Sequence, residues 1–195
     1  MRKIIKILLL LPLALQADFI VSSYQELKNQ QVVRQNYEES CGAASLATLI
    51  NLIDAQKLSE LDPLQTISQK ELYTDMLSFA DLEVAAKKLG FDNNSFRLDR
   101  RVLEKIINIP ILVKIEDDPR FPHFVVIINH KGDYLQIFDP SQGRYISSKR
   151  EFHSLWDKND KGGYALVLAP KQDLQSFELI LPKKLDFEKR VFNKF

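Results

Sequence analysis

The stretch that decides the reading is Gln35–Leu52, "QNYEESCGAASLATLINL", which holds the chain's single cysteine, Cys41. Leu46, Leu49, Ile50 and Ile53 recur at helical spacing from that cysteine onward, which predicts a helix over 41–53. A lone cysteine forms no internal disulfide, and in an oxidising compartment its thiol is open to oxidation. Two readings follow. One is a buried small hydrophobe. The other is a nucleophile, because a helix start offers unpaired N–H groups and a dipole that favour a thiolate. Gly42, Ala43 and Ala44 are small enough to let a substrate backbone approach, and Glu38 and Glu39 read as surface residues.

The chain opens with Arg2, Lys3 and Lys6 ahead of the apolar run Ile7 to Leu15, followed by small Ala17. That pattern predicts a secretory signal peptide over residues 1–17 and a periplasmic product, soluble after cleavage. The run is shorter than the roughly 20 apolar residues of a spanning helix. The alternative is an uncleaved N-terminal anchor holding the protein on the inner membrane, facing the periplasm. The full chain carries a net charge of +1, and loss of three basic residues with the signal leaves it slightly acidic. Such a surface has no electrostatic footprint for nucleic acid. No cofactor and no metal enter the reading.

No repeat or Gly/Ser-rich linker divides the rest, so residues 18–170 read as one domain and 171–195 as a C-terminal extension. The segment before Tyr37 offers at most one short strand or turn of helix, and 62–66, containing Pro63, reads as a loop. Ser68 and Glu71 stand at capping-box spacing for a helix. A second helix runs through "FADLEVAAKKLGF" and ends at Gly90. Asp99 caps a third, "RRVLEKII", stopped by Pro110. From there "ILVKI", "HFVVII", "YLQIFD" and "YALVLA" are β-branched and aromatic runs of strand length. Helices first and an antiparallel sheet after them make an α+β arrangement. In the extension, "FELIL" is strand-like and "DFEKRVF" is a charged helical stretch, read as a segment closing the domain or a docking element. Gly162–Gly163 reads as a turn before the last strand rather than a self-cleavage site.

A thiol nucleophile needs a base, and three histidines are available. "HFVVII" and "YLQIFD" should form a hairpin about Lys131 or Gly132. That fold brings His123 opposite, or diagonal to, Asp139, within reach of a hydrogen bond. Such a carboxylate is what orients a catalytic imidazole. His130 lies in the turn, away from Asp139, and His153 falls in the charged helical segment "KREFHSLW" and reads as a surface residue. His123 is the base by this geometry.

From Gln35 to about Pro170 the chain resembles the bacteriocin-processing cysteine peptidases of family 39, papain-like domains that cleave leader peptides after a double glycine. The resemblance rests on "QNYEESCGAASLA", "DLEVAAKKLGF", "PILVKI…HFVVI" and "FDPSQGRYISSKREFHSLW…GGYALVLAP". It implies a papain-like peptidase fold with N-terminal helices packed on an antiparallel sheet. It also implies Cys41 as nucleophile, His123 as general base and acid, Asp139 as its orienter, and Gln35, six residues before the cysteine, as oxyanion donor. Ser40 stands where an aspartate is common in the family, and Ala43 where a proline is common. A stand-alone exported member is similar to the peptidase-like protein of functional-amyloid secretion. The implied partner is a peptide or protein substrate, an exported protein or fibre subunit. The alternatives are a peptide-binding adaptor that keeps the fold without chemistry, and an acyl transferase using the same residues.

Overall fold

The computed structural model describes residues 23–54, 56–67, 77–116 and 123–169. The signal-peptide stretch, the helix expected from Ser68 and Glu71, and the extension 171–195 lie outside the described residues. Helix α1 is Tyr24–Asn29, with Ser23 and Glu26 forming a capping box. Helix α2 is Cys41–Asp54 and α3 is Leu61–Thr66. The expectation of a loop over 62–66 is therefore corrected: Pro63 falls in the first turn of α3, where its missing N–H leaves no intrahelical bond unmade.

Helix α4, Phe79–Lys88, starts at a Ser78–Asp81 capping box and ends as expected at Gly90. Gly90 has φ +87°, its N–H donates to Lys87 O, and the next residue, Phe91, donates to Ala86 O. This paired return is the Schellman closure, and it drops Phe91 into the core.

Two strands escaped the sequence reading. Strand β1, Asn93–Leu98, is rich in residues that disfavour strands, and only its pairing with the last strand makes it one. Strand β5, Gly143–Ser148, is an edge strand with little apolar content. Helix α5 is shorter than "RRVLEKII" suggested, ending at Arg100–Leu103. The chain then tightens into turns and reaches Asn108 at φ +58°, whose N–H donates to Asn129 O.

The expected strands are β2 (Pro110–Ile115), β3 (His123–Asn129), β4 (Tyr134–Asp139) and β6 (Gly163–Leu168), with α6 (Lys149–Trp156) before the last. Together they form a six-stranded antiparallel sheet ordered β1-β6-β2-β3-β4-β5. Side chains alternate across it. Leu112, Phe124, Val126, Ile128, Phe138 and Leu166 join α2 and α4 in one core. Ile111, Val113, Val125, Ile127 and Ile137 join Leu103, Phe152 and Trp156 in a second core on the other face. With both faces covered, β2 and β3 read as continuous apolar runs rather than alternating ones.

Tight packing marks the start of β6, where a Cβ added to Gly163 would drive into the Trp156 ring. Gly163→Ala is expected to destabilise the fold by about 1–3 kcal/mol, the usual range for overpacking. Urea unfolding of the variant against wild type measures it.

Candidate active site

Helix α2 is buried nearly throughout, and its first residue, Cys41, is only 3% exposed. Its position is held by ties to three neighbours. The Ser45 hydroxyl donates to Phe124 O at 2.8 Å, locking the helix to the strand that begins with His123. Thr48 Oγ1 accepts from Val33 N at 2.9 Å, holding the segment that leads to Gln35. A Cβ at Gly42 would stand 3.3 Å from Phe124 and 3.4 Å from both Leu77 and Leu82. Gly42 is thus packed against the sheet and α4, and Ala43 and Ala44 after it are buried. The small size of Gly42 serves close packing of the helix against Phe124 and Leu82, where the expectation was approach of a substrate backbone.

The hairpin of β3 and β4 pairs Val126 with Phe138 and Asn129 with Leu135, turning through Gly132 at φ +95°. One further step of that register sets Asp139 across from Val125, so His123 is its diagonal neighbour. Their side chains meet: His123 Nε2 donates to Asp139 Oδ1 at 2.9 Å. The same carboxylate oxygen accepts the N–H groups of Ser141 (2.7 Å) and Gln142 (3.0 Å), and the side chain is only 2% exposed. With Nε2 committed, Nδ1 is the nitrogen left to His123 for its hydrogen bond with Cys41.

Burial works against a charge on His123, but the hydrogen bonds to Asp139 and Cys41, and their charges, outweigh it and push the imidazole up to about 9. Burial likewise works against the Asp139 carboxylate, and the His123 bond and charge with the Ser141 and Gln142 N–H groups hold it below its ordinary value. The two shifts agree. Each partner stabilises the charged form of the other.

Gln35 reaches the same neighbourhood from the other side. Its N–H donates to Pro140 O at 3.1 Å, and its Oε1 accepts the Ser141 hydroxyl at 2.8 Å. Its Nε2 points to the loop that precedes Cys41, donating to Tyr37 O at 3.3 Å and Glu38 O at 3.2 Å. Glu38 and Glu39 are exposed. The structure thus gathers Gln35, Cys41, His123 and Asp139, and leaves the other two histidines elsewhere. His130 is buried, with Nδ1 against Asn108 Oδ1 at 3.0 Å. His153 is half-buried beside Phe152 and Trp156 rather than on the surface, since its turn of α6 faces the second core. Burial lowers the pKa of both.

Sequence reasoning missed Glu60. This carboxylate is 2% exposed and collects donors from the loop between Asn36 and Ser40. No periodicity or motif signals such a contact, which joins an irregular loop to a residue 20 to 24 positions later, beyond the whole of α2.

A model of the Peptidase C39 family matches residues 29–173. The lactococcin-G-processing and transport ATP-binding protein LagD of Lactococcus lactis is 30% identical over 132 residues, 65% of this chain and 18% of LagD. The probable functional amyloid protease FapD of Pseudomonas aeruginosa is 28% identical over 141 residues, 70% of this chain and 62% of FapD. The chain thus spans under a fifth of LagD's length and 62% of FapD's. Among solved structures, the peptidase domain of Streptococcus ComA, a bi-functional ABC transporter, superposes with a TM-score of 0.61 at 26% identity. That match covers 72% of this chain and 98% of the domain.

The raised His123 value has a thermodynamic consequence. A group whose folded pKa exceeds its unfolded value adds stability that is fully present below about 6.5 and is lost as pH rises through the folded value. Urea midpoints should therefore fall as pH climbs from near neutral through about 9. Asp139→Asn should move the His123 titration, followed by NMR, back toward 6.5 and flatten that decline. An unchanged titration in the variant would contradict the pairing.

Proposed function

Because the chain belongs to the Peptidase C39 family, we propose that it is a thiol peptidase that cuts a peptide bond through Cys41, His123 and Asp139. The observation that carries this reading is the continuous line from Cys41 through His123 to Asp139, with the carboxylate buried and triply hydrogen-bonded.

The Cys41 thiolate attacks the carbonyl carbon, and the carbonyl π-electrons move to oxygen. The first residues of a helix carry N–H groups without an intrahelical acceptor, and that of Cys41 faces the developing charge. The Gln35 amide is the second donor. Its bonds to Tyr37 O and Glu38 O are longer than the common 2.9–3.0 Å. Turning one toward an oxyanion exchanges a long neutral bond for a charge-assisted one. The protonated imidazole then gives its Nδ1 proton to the departing amine, and the C–N bond breaks to leave a thioester. Water, losing a proton to His123, attacks the thioester; the acid product and the thiolate are released. Asp139 keeps the ring oriented and its charge balanced throughout, as the third group of a triad does.

The substrate is an exported protein or leader, met in the periplasm after removal of residues 1–17. Support for this comes from the basic and apolar start of the chain. It comes also from the relatives, one named for processing lactococcin G and another as a functional amyloid protease. Among the described residues no helix is long and apolar enough to cross a membrane. A scissile bond after Gly-Gly and a fibre-subunit client are the specific form of the proposal.

Cleavage of peptides with and without a Gly-Gly step, followed by mass spectrometry, tests both levels. Cys41→Ala and His123→Ala should abolish cleavage with unchanged circular dichroism, while Gln35→Ala should slow it by about 10²–10³-fold. Cleavage surviving in Cys41→Ala ends the peptidase reading. Peptide binding without cleavage in the wild type points instead to an adaptor. Fractionation of cells expressing the full chain should recover it in the periplasm, shortened at its N-terminus.

A further inference from the structure

The irregular segment between Gln35 and Cys41 has few backbone hydrogen bonds of its own. Ser40 N donates to Tyr37 O at 3.3 Å, and Gln35 N reaches out to Pro140 O. Its amides are claimed by one side chain from the start of α3. Asn36 N donates to both carboxylate oxygens of Glu60 at 3.0 Å, Asn36 Nδ2 to Oε2 at 2.7 Å, and Tyr37 N to Oε1 at 3.4 Å. The Ser40 hydroxyl, immediately before the nucleophile, lies against the same Oε1 and against Tyr37 O at 2.7 Å. A single hydroxyl proton serves one acceptor at a time, and the charged one is the stronger.

The two sides of this loop face opposite partners. Its N–H groups at 36 and 37 turn to Glu60, and its carbonyls at 37 and 38 turn to the Gln35 amide. A peptide unit cannot rotate its N–H without rotating its C=O. The N–H groups of 36 and 37 share their planar units with the carbonyls of 35 and 36, so Glu60 fixes those two units, and the Ser40 hydroxyl, between Glu60 Oε1 and Tyr37 O, carries the restraint on to a carbonyl that accepts the Gln35 amide. Glu60 thereby sets where Gln35 sits, and, through Ser40, how the chain enters the first N–H of α2. We propose that Glu60 is a positioning residue for the oxyanion site, fixing the Gln35 amide and the Cys41 N–H relative to one another without touching the substrate. The inference rests on the reading of those two groups as oxyanion donors.

Two reactions of Cys41 separate this role from general stability. Acylation by p-nitrophenyl acetate forms the S–C bond, expels nitrophenolate and passes through an oxyanion. Alkylation by iodoacetamide displaces iodide and has no oxyanion. Both need the thiolate. Glu60→Gln keeps the volume but replaces one acceptor oxygen with an NH₂ that opposes the loop donors. It should slow acylation by at least ~10-fold, a part of what losing a donor costs, and leave alkylation within about twofold. Should that variant fail to fold, Ser40→Ala removes one donor to the carboxylate and should show the same split, about threefold. Parallel loss of both reactions, no loss in either, or a wild type that alkylates but does not acylate overturns the proposal. A wild type that cleaves no peptide, yet shows the split, removes the peptidase reading and leaves the role of Glu60 standing.

Discussion

Burial of α2 is the constraint on which the rest depends. A helix apolar on all sides has no solvent face and must be enclosed, and Cys41–Asp54 is enclosed by the sheet on one side and by α3 and α4 on others. Enclosure leaves the helix no freedom to slide or roll. Cys41, its first residue, is thereby held at a fixed distance from the strand that begins with His123, and the Ser45 bond to Phe124 O repeats that restraint one turn further along. Gly42 is part of this packing, standing close to Phe124 and Leu82.

Burial also raises the stakes of the charges. Removing His123 from water disfavours its imidazolium, and that is the largest single influence on it. The charged form prevails because two partners stand within hydrogen-bond reach and one of them, Asp139, cannot easily leave. Its lone pairs are held by the Ser141 and Gln142 N–H groups in the turn that follows β4. The carboxylate is thus oriented by backbone, the least mobile donor available, and the imidazole inherits that order. An imidazole at the end of a strand would otherwise sample several rotamers. Here its position follows from hairpin register, which pairs Val126 with Phe138 and Asn129 with Leu135 about the turn at Gly132.

What could be read from the sequence follows the range of the interactions. The helix at Cys41 comes from local periodicity and the β3–β4 hairpin from two strand-length apolar runs about a turn, and between them they place three of the four candidate site residues. Gly90 announces its own helix end. By contrast, β1 has Asn93, Asn94 and Ser95 in a strand that exists because β6 lies beside it, a pairing of residues some seventy positions apart. The helical turn at Leu61–Thr66 was hidden by Pro63, which is a breaker inside a helix but harmless in its first turn. Smallness at Gly42 to Ala44 was visible, yet whether it faces a substrate or a core depends on what covers it. Glu60 carried no signal at all, because a lone glutamate in a polar stretch ordinarily faces water.

The site divides accordingly into a rigid half and a tethered half. Cys41, His123 and Asp139 stand on the first residue of a helix, the first of one strand and the last of another, where ladders and core packing set position. The Gln35 side has no such ladder, since residues 35–40 are irregular. A backbone without regular structure must satisfy its polar groups through side chains, and each satisfied group is also a restraint. Glu60 takes the N–H groups, Gln35 takes the carbonyls, and Ser141 with Pro140 ties Gln35 to the turn that orients Asp139. Groups that stabilise a transition state must be held within about half an ångström of the productive geometry. On an irregular segment only a buried, multiply bonded acceptor supplies that order. The Glu60 carboxylate offers two charged oxygens and about four lone-pair sites, and so holds the donors of Asn36, Tyr37 and Ser40 together.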